Sequence, residues 1–205
     1  MRGRTLSLGC LTLTVLALAA GNRAKPAPAL AVLANPGFEQ PLDSGWTQSA
    51  INDSNTRGYT GYIERSDTLG QPDSGFAVRV YKFHNGHASL GQTVSLKTLG
   101  QVLRFTARFR YGGNVPCAPA AAVSLSYLDS TGNRLGRTLV ALASSYSTLA
   151  NSDSVHVIAV ADTVAGWRQY AVNIQAELGS SLPAVEHTAV KRLRLELIAL
   201  VENSG

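Results

Sequence analysis

The residue types able to break or transfer bonds are scattered along this chain. His84 and His87 flank Asn85-Gly86, and no third ligand stands near them, so a turn in water suits them better than a metal pair. His156 and His187 are isolated. There is no Gly-x-Ser-x-Gly nucleophile turn and no phosphate-cradling glycine loop. Glycoside hydrolysis needs two carboxylates at a separation set by the fold, and Glu196 is a lone candidate. Cys117 sits in the turn-rich segment 112–119, where a spare thiol does more readily than a reactive one. What remains is chemistry without bond cleavage. Gln92, Arg194 and Glu196 carry planar or forked hydrogen-bonding groups. Trp46, Tyr59, Tyr62, Tyr81 and Tyr146 are aromatics outside the obvious core set, each a flat apolar platform, whereas Trp167 reads as core.

Strands must position these groups. Short apolar-alternating runs recur from Leu30 onward, separated by Gly, Pro, Asn and Asp. The pattern predicts strands at 30–34, 46–51, 58–64, 75–83, 88–96, 101–111, 121–128, 135–142, 154–161, 167–176 and 191–201. In 102–111, Leu103, Phe105, Ala107, Phe109 and Tyr111 share one face, and Arg104, Thr106, Arg108 and Arg110 the other. In 191–197, Leu193, Leu195 and Leu197 oppose Arg192, Arg194 and Glu196. Leu, Arg and Glu favour helices, but strict alternation outweighs that propensity. Asn85-Gly86 reads as a hairpin turn between two runs, and Asp129 to Asn133 as a second tight connection. So many strands without a helix must stack into two sheets or close on themselves.

Arg2 and Arg4 precede an apolar run, Leu11 to Ala20, with small residues at Ala17-Leu18-Ala19. That is the pattern of an export signal, too short to span a bilayer, so residues 1–20 are expected to be a signal peptide. Residues 21–31 read as a linker and 32–205 as one domain. The full chain carries +5, but residues 1–31 hold Arg2, Arg4, Arg23 and Lys25 and no acid, so the remainder is close to neutral. The basic excess therefore belongs to the leader and is no signature of nucleic-acid binding. Only 15% of residues are charged and 45% are hydrophobic, which excludes a disordered chain. The expected location is extracellular, with no membrane span and no oligomeric state written in any feature.

A family resemblance adds to this. Asn35-Pro36-Gly37-Phe38-Glu39 with Gly45-Trp46, then Ser74 to Val80 (SGFAVRV), Leu90 to Val94 (LGQTV), Leu103 to Arg108 (LRFTAR) and Gly166 to Tyr170 (GWRQY) follow one another in order. Together they resemble secreted carbohydrate-binding modules of the CenC type, a galactose-binding-like fold. The resemblance implies an all-β, two-sheet antiparallel jelly-roll sandwich whose concave sheet binds polysaccharide. It places the strands of Gln92, of Ser124 and Ser126, and of Arg194 and Glu196 on that sheet, with the Arg104–Arg110 strand opposite. Tyr81 and Tyr62 are expected at the rim. The resemblance also implies a structural Ca²⁺ held by Glu39. The second ligand would be an Asp of a final strand, which is not found before Gly205, so the domain is expected to lack its last strand or to carry an altered metal site.

Sugars offer hydroxyls for planar hydrogen-bonding groups and CH faces for aromatic rings, so this residue set suits them. Two other readings stand beside it. One is a structural cell-surface sandwich, since fold does not fix function. The other is a small jelly-roll polysaccharide lyase. Arg194, Gln92, Tyr81 and His84 are the residue types such an enzyme uses to neutralise a uronate and remove its proton. Arg192-Leu193-Arg194-Leu195-Glu196-Leu197 is only a scrambled echo of its strand motif.

Overall fold

The computed structural model describes residues 12–16, 33–52, 61–69, 75–82, 85–110, 117–145, 147–161 and 166–203. The eleven strands are β1 (Thr12–Leu16), β2 (Thr47–Asn52), β3 (Gly61–Ser66), β4 (Ala77–Lys82), β5 (Gly86–Ser95), β6 (Val102–Arg110), β7 (Cys117–Leu128), β8 (Arg134–Ala143), β9 (Val155–Ala159), β10 (Arg168–Asn173) and β11 (Arg192–Asn203). They form a five-stranded sheet, β10-β6-β1-β4-β3, and a six-stranded sheet, β2-β5-β11-β7-β8-β9. The chain is an all-β sandwich. Helical structure among the described residues is confined to short turns between Ile174 and Ala189.

The alternation is realised in the packing. Phe105, Ala107 and Phe109 of β6 and Val78 and Val80 of β4 face Leu193, Leu195 and Leu197 of β11 and Val123, Leu125 and Tyr127 of β7 in one shared core. Lys191–Val201 is thus a strand, because a helix could not put every second residue into that interior. β7 is buried on both faces from Ala118 to Leu128. Its outward residues are small, and the Ser144–Ser154 connection, through Leu149, covers Ala122, Leu139 and Ala141.

Three features depart from the expectations. β9 runs parallel to β8, so the six-stranded sheet is not wholly antiparallel. The covering connection after β8 carries the chain back before β9 begins, which a tight hairpin could not do. Asn85-Gly86 is not a hairpin, since β4 and β5 belong to different sheets. Gly86 does adopt a φ of 116°, so the pair makes the sharp turn, but it delivers the chain to the opposite layer. Residues 12–16, inside the run expected to be an export signal, form β1 between β4 and β6. The register places Leu13 level with Val80 and Phe109, and Val15 level with Val78 and Ala107. The predicted strand 30–34 falls mainly outside the described residues, as do His84, Tyr59, Tyr111 and Tyr146.

The Asp129–Asn133 connection is the tight turn expected, and it joins β7 to β8. Asp129 N donates to Asn133 O at 3.0 Å, and Gly132 takes a φ of 98°, open to a residue without Cβ.

Candidate ligand groove

β11 is the centre of the candidate site, with β5 on one side and β7 on the other. Register sets Arg194 level with Thr93 and with Ser126, and Glu196 level with Gly91 and with Ser124. Residues level with one another across antiparallel strands share a face, so these side chains all leave the sheet away from the core. Thr93, Ser126, Arg194 and Glu196, together with Arg192, border an open groove of about 390 Å³. The far side is closed by Leu128, Gly132 and Arg134, from the β7–β8 hairpin and the start of β8.

Arg194 Nη2 and Glu196 Oε1 pair at 2.9 Å, with the two side chains 36% and 20% exposed. Gly91 makes room for this pair. A Cβ there would stand 2.9 Å from Glu196 Cγ and 3.1 Å from Arg194 Nη2. Next to the pair, Arg137 is level with Ser126, and its Nε is buried without a hydrogen-bond partner. Burial holds the Arg137 guanidinium below its ordinary pKa, the neighbouring Arg134 charge adds to this, and Glu196 opposes it. The hairpin is internally held. Asp129 Oδ1 accepts from the backbone N–H groups of Thr131, Gly132 and Asn133 and from the Thr131 hydroxyl, and Oδ2 accepts from Asn133 Nδ2. These bonds, led by that from the Thr131 hydroxyl, pull the Asp129 carboxyl down to about 2.

Of the residues expected to bind ligand, Ser126, Arg194 and Glu196 meet at the groove. Ser124 shares their face but is 1% exposed and does not reach the cavity. Gln92 lies on the other face. It is level with Leu195, and it is buried at 7% exposure. Its amide is fully engaged with the N-terminal segment: Oε1 accepts from Ala34 N at 2.7 Å, and Nε2 donates to Ala34 O at 3.1 Å and to Gly45 O at 2.6 Å. Gln92 is a clasp for the segment bearing Asn35-Pro36-Gly37-Phe38-Glu39. Trp46, in the same segment, is core: it is buried, packs on Phe38, and donates from Nε1 to Asn35 O.

Tyr62 and Tyr81 lie on the five-stranded sheet. They are level across β3 and β4, with ring centroids 4.9 Å apart, and Arg79 Nη1 donates to the Tyr62 hydroxyl. That face also holds Trp167, packed with Leu69 and Ala77 rather than in the main core, with the Arg108 guanidinium 5.3 Å from its ring centroid. Among the described residues that line the groove, none is aromatic. The set Arg194, Gln92 and Tyr81 therefore occupies three different surfaces, and His84 lies outside the described residues.

The calcium expectation also meets the structure at Glu39. Glu39 Oε1 accepts from Phe76 N at 3.4 Å, and the Arg65 guanidinium donates to the carbonyls of Phe38 and Glu39. A cation already satisfies those carbonyls, and no group of three His, Cys, Asp or Glu side chains converges among the described residues. The described residues do not fit a Ca²⁺ at Glu39, because a guanidinium this close repels a second positive charge.

Thr93, Arg134 and Arg192 were not singled out as ligand residues. Arg192 shares the parity of Arg194, so alternation alone marks it. Arg134 reaches the groove only through the hairpin, which no sequence period reveals. His156, isolated in sequence, meets Glu177 at 2.6 Å, and Glu177 also accepts from the Thr138 hydroxyl, itself 3.0 Å from the Tyr127 hydroxyl. This chain fastens the turn after α1 (Ile174–Ala176) to the sheet, and burial pushes the Tyr127 hydroxyl pKa up. No helix among the described residues is long and apolar enough to cross a membrane.

No family model matches the chain, and no curated protein matches it. Among solved structures, it is similar to the enzymatically active domain of tailspike protein 4 of bacteriophage CBA120, with a TM-score of 0.43 and 12% identity over 83% of this chain. The chain spans 19% of that protein's length.

Proposed function

We propose that this chain is an exported, non-catalytic module of jelly-roll type that binds extracellular polysaccharide on the outer face of its six-stranded sheet. The observation that carries this is the open polar groove in which Thr93, Arg194 and Ser126 stand level across three strands, with Glu196 next to Arg194 on the same face. Hydroxyl and carboxylate acceptors, with guanidinium donors, suit the alternating hydroxyls of a sugar chain. Export is supported by the basic start and short apolar run at residues 2–20. A lyase is less supported as a reading because, of its residue types, Arg194, Gln92 and Tyr81 stand on separate faces.

Affinity electrophoresis through gels containing different polysaccharides tests the proposal. At least one should retard the protein, and Arg194→Ala should weaken the retardation by about 1–3 kcal/mol without lowering the melting temperature. No retardation in any gel would leave a structural surface module in its place. Growth of unsaturated-uronate absorbance with alginate or pectin would overturn the non-catalytic part.

A further inference from the structure

We propose that the groove selects an acidic polysaccharide, one bearing carboxylates on its sugar units, and grips it through guanidinium–carboxylate pairs. This rests on the groove being the glycan site. The charge around it is unbalanced. Arg134, Arg192 and Arg194 line the groove and Arg137 stands on β8 level with its Ser126, while Glu196 is the only acid lining it among the described residues. Glu196 is already paired with Arg194. Arg134, Arg137 and Arg192 make no ion pair within 4.0 Å among the described residues. The nearest hairpin acid, Asp129, turns both carboxylate oxygens into its own loop. Among the described residues, no acid is therefore paired with Arg134, Arg137 or Arg192.

The shape of the unmet demand is specific. A guanidinium presents a rigid fork that matches the two oxygens of a planar carboxylate. Beside the groove, the Nε of Arg137 is buried without a hydrogen-bond partner, as are those of Arg79 and Arg108 on the other sheet. The groove also lacks what the other ligand classes require. Neutral sugars gain much of their affinity by laying CH faces on aromatic rings, and single-stranded nucleic acid by stacking bases on them. No aromatic residue lines this groove among the described residues, and the Tyr62–Tyr81 pair lies on the other sheet. Charge and hydrogen bonding must then supply most of the binding. A cavity of about 390 Å³ lies within the range of small-ligand sites, so it holds a short stretch of sugar chain rather than a long one.

The test uses the full-length chain with polygalacturonate, with fully methyl-esterified pectin of the same backbone, with a neutral β-glucan and with double-stranded DNA, by calorimetry at low and moderate salt. The expected result is binding to polygalacturonate that weakens with salt, and at least about tenfold weaker binding to the methyl ester. Arg192→Gln and Arg194→Gln should each weaken it about tenfold, and Arg194→Lys less, since it keeps the charge and loses the fork. Arg104→Gln, exposed on the five-stranded sheet, should change nothing. Equal affinity for the ester or the glucan, still lost in Arg194→Gln, overturns acid selection and leaves glycan binding standing. Binding to no polysaccharide overturns both. Affinity for DNA equal to that for polygalacturonate, with the same arginine dependence, makes the site a general polyanion patch and overturns the sugar assignment.

Discussion

The six-stranded sheet is drawn wholly from residues 47–203, whereas the five-stranded sheet runs through residues 12–16. In the first, β11 pairs with β5 over ten residues and with β7 over twelve, and each neighbour is anchored again on its far side. In the second, β1 is the only link between the β10–β6 pair and the β4–β3 pair. Residues 12–16 also lie in the run that reads as an export signal, so one segment carries two claims. Removal of residues 1–20 would take out a middle strand and leave the facing backbone groups of β4 and β6 without partners, which buried strands do not tolerate. The candidate groove lies on the sheet that shares no hydrogen-bond ladder with β1, although β1 packs across the core from β7 and β11. The proposed binding face and the strand that completes the five-stranded sheet thus stand in different hydrogen-bonded sheets.

Proline breaks that comparison most directly, because it removes a ladder donor from a strand paired on both sides. Ser124→Pro, in the middle of β7, should prevent folding outright, seen as loss of a cooperative urea transition. Thr14→Pro in the full chain should cost about 2–4 kcal/mol in urea unfolding while ligand affinity at the groove holds. An unchanged urea midpoint for Thr14→Pro would show that β1 does not complete the sheet in solution. The asymmetry between the sheets would then lie in the bare edges of β4 and β6.

The fold was legible because the period-two signal is strong where one face meets the core. The strands around Phe105 and Leu193 fall within a residue or two of the alternating runs, and the strand around Leu125 begins four residues before its run. Local chemistry misled where it was asked a tertiary question. Asn85-Gly86 encodes a sharp turn but does not say which layer receives the next strand. The parallel placing of β9 depends on a covering loop that has no period. The site was half legible. Arg194 and Glu196 alternate with leucines and must face outward together. Gln92 misled because its polarity suggested solvent, although it shares parity with Leu90 and Val94 and so belongs to the inner face. A polar residue at such a position needs partners, and the N-terminal segment supplies them. Gln92→Ala should therefore cost about 2–4 kcal/mol of stability, as backbone groups of Ala34 and Gly45 lose their partner. Ligand affinity should stay unchanged. Stable protein with lost binding would return Gln92 to the site and move the groove.

The smallest effect sharpens the contrast within the six-stranded sheet, between strands held by the core and a hairpin held by one carboxylate. Asp129 is solvated, so its contribution is modest, but its sign is fixed. The folded-state carboxyl sits at about 2, below its ordinary 3.8, because the turn's hydrogen bonds favour the charged form. The stability it contributes is present in full above the ordinary value and is lost as pH falls through about 2. Asp129→Asn should lower the urea midpoint slightly at pH 7, and the gap from the parent should close between about pH 4 and pH 2. A gap constant down to pH 2 would mean that shape alone, and not charge, holds the hairpin. In that case Gly132 and Arg134 would keep their places at the groove in acid, and loss of binding at low pH would have to be traced to the ligand's own carboxylates.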